Sequence, residues 1–200
     1  MAAPFRVALT FDAEHPDRPT RSDPQAVLDQ LDRLEVRGSF FLQGRWVEAY
    51  PRVARRIAEA GHLIGNHSHY HARLPLLTAA GLRSDVRAAE SVIRRRAGVD
   101  PRPWLRLPFG TGEGDPLLAA RLKALGYRHV GWDVDVAEWR ARQSSRRVAD
   151  GIVQRVLTRG DGAIVLLHTW PDPVPGAVAE FVPRLREAGV TFVRLDELGM

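Results

Sequence analysis

The chain contains no cysteine. Disulfides and thiolate metal sites are therefore excluded, and any metal must be held by His, Asp or Glu. It has no run long and apolar enough to cross a bilayer, so no membrane association is expected. No basic start, apolar stretch and small-residue cleavage site precedes the first apolar run in MAAPFRVALTFD, so a cytoplasmic protein is expected, with a secreted one the alternative if a leader has been removed. Lysine is almost missing: Lys123 is the only one, and arginine supplies the rest of the 29 basic residues, which outnumber 24 acidic ones. The arginines are spread along helical stretches, such as Arg52, Arg55 and Arg56 or Arg94, Arg95 and Arg96. That distribution reads as solvated helix faces and gives no reason to expect a nucleic-acid partner. Repeats, low-complexity tracts and linkers are also absent, so residues 1–200 are expected to form a single domain with a substantial core.

Short apolar runs alternate with amphipathic segments. Strands are expected at Phe5–Phe11, Ser39–Leu42, His62–Asn66, Trp104–Leu107, Tyr127–Trp132, Ala163–Leu167 and Val190–Val193. Helices are expected at Pro24–Val36, Pro51–Ala60, from the cap Thr78 to Gly98, from Asp115 and Pro116 to Gly126, at Ser145–Thr158 and at Val174–Ala188. Regular alternation of this kind predicts a mainly parallel sheet, open or closed into a barrel, with helices outside. Active sites in such folds collect at the C-terminal ends of the strands.

Polar clusters fall at those ends. Asp12 and Glu14 follow the first strand, His67-Ser68-His69-Tyr70-His71 the third, Arg106 to Phe109 the fourth, Asp133 and Asp135 the fifth, and His168 the sixth. His67 and His71, four apart, share one side of the chain in either a helix or a strand. Two imidazoles with one carboxylate form a common catalytic zinc set, because a coordination position stays open for water. A metal-dependent hydrolase is therefore expected. Gly110 to Gly114 is no phosphate loop, since it lacks the G-x-G-x-x-G spacing and a lysine and carries Glu113. His69 is expected in a solvent or outer-shell position, Trp46, Trp104 and Trp170 in packing, and His15 and Asp17 near the entrance.

In order, the clusters read Thr10-Phe11-Asp12, His67 to His71, Arg106-Leu107-Pro108-Phe109-Gly110, Asp135-Val136-Ala137-Glu138-Trp139 and Leu166-Leu167-His168. This series resembles the five motifs of the polysaccharide deacetylases, the NodB-homology or family 4 carbohydrate esterases, over nearly the whole chain. The resemblance implies an α/β fold, a distorted (β/α) barrel that is often seven-stranded. It also implies one divalent metal, usually zinc, with other divalent transition metals compatible. The implied reaction removes an acetyl group from an N-acetylated sugar or related small amide. A non-sugar amide, an O-acetyl ester and a catalytically inactive sugar-binding module are the alternatives.

Two positions depart from the family pattern. Ala13 stands where a metal-binding Asp is usual, so the ligand role passes to Glu14, with Asp12 or His69 the other candidates to complete the shell. Glu138 stands where the fourth motif usually has Asp. The implied roles are then Asp12 as general base, oriented by Arg106; Glu14, His67 and His71 as metal ligands; and His168 as acid, paired with Asp135. Pro108 and Phe109 would sit against the substrate, with a backbone N–H near Phe109 facing the oxyanion, and Trp139 would wall the acyl methyl.

Overall fold

The computed structural model describes residues 5–15 and 23–199. Among the described residues, seven strands form one parallel sheet: β1 (Phe5–Ala13), β2 (Ser39–Leu42), β3 (Leu63–Asn66), β4 (Trp104–Leu105), β5 (Arg128–His129), β6 (Ala163–His168) and β7 (Val190–Val193). The order is β5-β4-β3-β2-β1-β6, and β7 pairs with the first half of β1. Beyond β5 the chain swings back, and Val134 bridges Val165 of β6. That single bridge brings the two ends of the sheet together, which gives the expected distorted (β/α) barrel.

The helices are α1 (Ala26–Arg33), α2 (Gly44–Ala49), α3 (Pro51–Glu59), α4 (Ala79–Ala97), α5 (Pro116–Ala124), α6 (Ser145–Arg159) and α7 (Val174–Glu187). Thr78 caps α4 by accepting the Gly81 N–H, and Asp115 caps α5 through the N–H groups of Leu117 and Leu118. Among the described residues, no helix is long and apolar enough to cross a membrane.

Two expected elements differ. The runs Trp104–Leu107 and Tyr127–Trp132 pair as strands over two residues each. After Leu105 the chain leaves the sheet because Pro108, which has no N–H to give a ladder, opens a tight turn. The helix α2 was not expected. Pro51 separates it from α3, supplying the first residue of the second helix after the cap Tyr50.

Alternation along β1 positions the site. Val7, Leu9, Phe11 and Ala13 are fully buried in the layer between sheet and helices, while Ala8 packs with Phe41, Trp104, Val130 and Ile164 inside the barrel. Each large side chain in the outer layer contributes about 1.5–3 kcal/mol by leaving water. Asp12 shares the inward face with Ala8 and Thr10. Ala13 points outward into the apolar layer, where a charge would be stranded, and Glu14 is the next residue to face inward.

Candidate active site

The C-terminal ends of the strands surround a pocket of about 260 Å3, lined by Asp12, Glu14, His67, His71, Leu107, Phe109, Trp132, Asp135, Trp139, Leu166, His168 and Trp170. One wall is built on Arg106, which is fully buried inside the barrel. Its guanidinium donates to Asp12 Oδ1 at 3.0 Å, to Thr10 Oγ1 at 2.8 Å and to the carbonyls of Val130 and Gly131, and it lies 4.2 Å from the centre of the Phe41 ring. Burial pulls the pKa of this guanidinium down, and the charge of Asp12 opposes the shift. The arrangement fixes Asp12 Oδ1 and leaves Oδ2 turned toward His67, 3.6 Å from Nε2.

The histidine segment is neither helix nor strand. It is a loop in which Ser68 (φ 62°) and His71 (φ 56°) are left-handed, and this folds the two imidazoles together. Their Nε2 atoms stand 3.2 Å apart, and Glu14 Oε2 lies 3.2 Å from that of His67 and 2.5 Å from that of His71. His67 Nδ1 faces the Arg106 carbonyl at 3.0 Å. Nδ1 donates to that carbonyl, so Nε2 is the nitrogen left to face Glu14: it donates to the carboxylate when protonated and is free to bind an ion when not.

Three ligand atoms converging within 4.8 Å form a set that can hold a metal ion. Burial would raise the Glu14 pKa. Hydrogen bonds from His67 and His71, with the charges of His168 and His67, overcome it and hold the carboxylate well below its usual range. His67 is raised: burial opposes its charge, but Asp12 and Glu14 favour it. His69 is turned away from this set and is buried rather than solvated, with Nε2 4.0 Å from Glu48.

The opposite wall carries His168, and here one expectation is corrected. His168 Nδ1 pairs with Glu138 Oε1 at 2.8 Å, not with Asp135. The Asp135 carboxylate is turned back to accept the Ala137 N–H at 2.6 Å. It shapes the turn in which Ala137 is left-handed (φ 50°), and that turn delivers Glu138, fully buried, beneath the imidazole. Burial lowers the His168 pKa, but the charge and hydrogen bond of Glu138, with Glu14 and Asp12 nearby, push it up to about 10. Its Nε2 points back across the pocket, 3.9 Å from Glu14 Oε1.

The remaining candidates divide between the pocket and the core around it. Phe109 is half exposed at the mouth, its ring 4.4 Å from that of His71, and Trp139 is also at the mouth. Pro108 is buried and does not line the pocket; it opens the turn that presents Phe109. Asp133 is bound to Arg159 and the Ile164 N–H, tying down the closing segment. Trp46 and Trp104 pack in the core, whereas Trp170 reaches the pocket with Nε1 3.4 Å from Glu14 Oε1. Trp132 also lines the pocket, with no periodic signal in the sequence to single it out. His15 is exposed beside the site, and Asp17 lies outside the described residues.

A family model described as polysaccharide deacetylase matches residues 2–130. The chain belongs to that family. This deacetylase, a hydrolase of amide carbon–nitrogen bonds, is 31% identical over 200 residues to the peptidoglycan-N-acetylglucosamine deacetylase of Bacillus cereus, covering 96% of this chain and 67% of that one. The solved structure of Bacillus subtilis PdaA, a family 4 carbohydrate esterase, matches it with a TM-score of 0.86 at 29% identity, over 97% of this chain and 80% of PdaA. A family 4 acetyl xylan esterase from Clostridium thermocellum, solved with a cobalt ion, matches with a TM-score of 0.80 at 29% identity, over 96% and 89% of the two chains.

Proposed function

We propose that this deacetylase removes the acetyl group from an N-acetylated amino sugar of the peptidoglycan kind, using Asp12 as base and His168 as acid on either side of a metal site. The observation that carries the reading is the meeting of Glu14, His67 and His71 in one pocket with Asp12 and His168. The donor set fits a divalent ion: two imidazole nitrogens and a carboxylate, facing one another with the His67 tautomer held by a backbone carbonyl. Zinc is the proposed ion; when bound it would lower the pKa of a water toward about 7 and polarise the acyl oxygen.

The chain's own groups supply the proton transfers. Asp12, held by Arg106, takes the proton from the attacking water. His168 is cationic because of Glu138, and it gives its Nε2 proton to the departing nitrogen, which leaves poorly as an anion. The backbone at Phe109, beside His71, is the candidate donor to the developing oxyanion. Trp139, Trp132 and Leu166 surround the acyl methyl with apolar surface. Retention of base, acid and their partners argues against a module that only binds sugar, since binding needs neither.

The test is acetate release from N-acetylglucosamine oligomers and peptidoglycan fragments by zinc-loaded protein. Turnover that disappears with a chelator and returns with zinc is expected. No release from any of them at saturating zinc would overturn the reading.

A further inference from the structure

Behind the histidine loop, α4 presents one carboxylate, that of Asp85. It is buried, and both oxygens are used on backbone: Oδ1 accepts the N–H of His69 at 2.8 Å and Oδ2 that of Tyr70 at 3.1 Å. These two residues lie inside the segment between His67 and His71. Among the described residues, no cation pairs with Asp85, so its charge is directed at those two peptides alone. Hydrogen bonds to a charged acceptor are roughly twice as strong as neutral ones.

The loop needs such a hold. Two of its non-glycine residues, Ser68 and His71, are left-handed. Residues held in that region are strained and persist only where the surroundings over-determine them. The grip is two-sided. From α2, the Gly44 N–H donates to the Ser68 carbonyl at 2.9 Å and the Arg45 N–H to the His69 carbonyl at 3.2 Å. The His69 ring wedges against α2 where no side chain stands, since a Cβ on Gly44 would lie 2.2 Å from His69 Nδ1. Asp85 completes the clamp from the other side.

We infer that Asp85 is a positioning residue of the metal site: it holds residues 67–71 in the one conformation that turns both imidazole Nε2 atoms toward Glu14. This rests on the reading that Glu14, His67 and His71 hold a divalent ion. Asn at position 85 keeps one acceptor oxygen but sets an amide NH2 against a backbone N–H, so the clamp is half broken and uncharged.

The test measures Zn2+ and Co2+ affinity of the whole protein, wild type and Asp85→Asn, alongside the thermal midpoint of each without metal. The expected result is a Kd raised about 10–100-fold, the usual scale for a group acting on a metal through its ligands. The absorption spectrum of the Co2+ form should change with it. A lowered midpoint with unchanged Kd would mean that Asp85 only supports the fold, and would overturn the inference. Should Asp85→Asn fail to fold, amide exchange in metal-free wild type decides. Protected His69 and Tyr70 amides are expected, and exchange at open-loop rates would overturn the clamp. Absence of any Zn2+ or Co2+ binding by wild type would instead bring down the metal-site reading itself, and this inference with it.

Discussion

Buried histidines flank β3 at both ends. Before its first residue, His62 packs edge-on to Phe40 and accepts the Gly38 N–H on Nδ1 at 3.0 Å. After its last, His67 is buried more deeply still, but its neighbours are Asp12 and Glu14. Burial opposes charge on both. At His62, arginines 37, 194 and 56 add to that effect against Asp32, and the pKa falls to about 4. At His67 the carboxylates reverse it and the pKa rises. Burial alone thus says little about a histidine; the sign of the surrounding charge decides whether it is a neutral packing group or part of a reactive site. Asp12 and Glu14, which reverse the effect at His67, follow the C-terminal end of β1, whereas at His62 three arginines outweigh the one carboxylate, Asp32.

The comparison breaks most sharply at His168. Replacing it with Ala should lower amide hydrolysis on the order of 10²–10⁴-fold while metal stays bound. An activated ester, whose leaving group needs no proton, should lose far less. Equal loss on both substrates, read from steady-state kinetics, would deny the acid role.

Next comes Glu14→Gln, which should weaken Zn2+ binding by more than roughly 100-fold, beyond the range of outer-shell changes. Asp12→Asn should weaken it less and abolish turnover instead. Equal metal retention by the two variants would mean the carboxylate roles are misassigned.

At the other end, His62 should set acid stability. Its folded pKa is depressed, so above about pH 6.5 it contributes no pH dependence. As pH falls below that, the unfolded chain takes up a proton that the folded chain refuses. Stability should drop by about 1.4 kcal/mol per pH unit, to a total of about 3 kcal/mol near pH 4. His62→Gln should flatten that slope in denaturant melts and leave turnover at neutral pH unchanged. An unchanged slope would show that His62 is already protonated or exposed in the fold.

The smallest effect sharpens the choice between two acids. Glu138→Gln should lower the His168 pKa by roughly one to three units, because it removes the adjacent negative charge. The acid form is the working one, so the alkaline limb of the pH–rate profile should move to lower pH. Asp135→Asn should leave the limb in place, since that carboxylate is bonded to Ala137. The opposite pattern would restore Asp135 as the partner.

Much of this molecule can be read in the order of its residues. Strand and helix periodicities are local, so the β–α alternation and most element positions were legible, as was the gathering of Asp12, Glu14, His67, His71, Arg106 and His168 at one end of the sheet. Even the inward turn of Glu14, two residues beyond Asp12, followed from the two-residue period of an extended chain. Three features were decided only by the tertiary structure. Glu138 rather than Asp135 meets His168 because the intervening turn passes through a left-handed Ala137, and an irregular turn has no period from which side-chain direction can be read. The barrel closes through Val134 and Val165, two apolar residues like many others until the chain brings them together. Asp85 is, in sequence, one polar residue of a long amphipathic helix; only the packing of α4 against the histidine loop turns its carboxylate toward the His69 and Tyr70 amides.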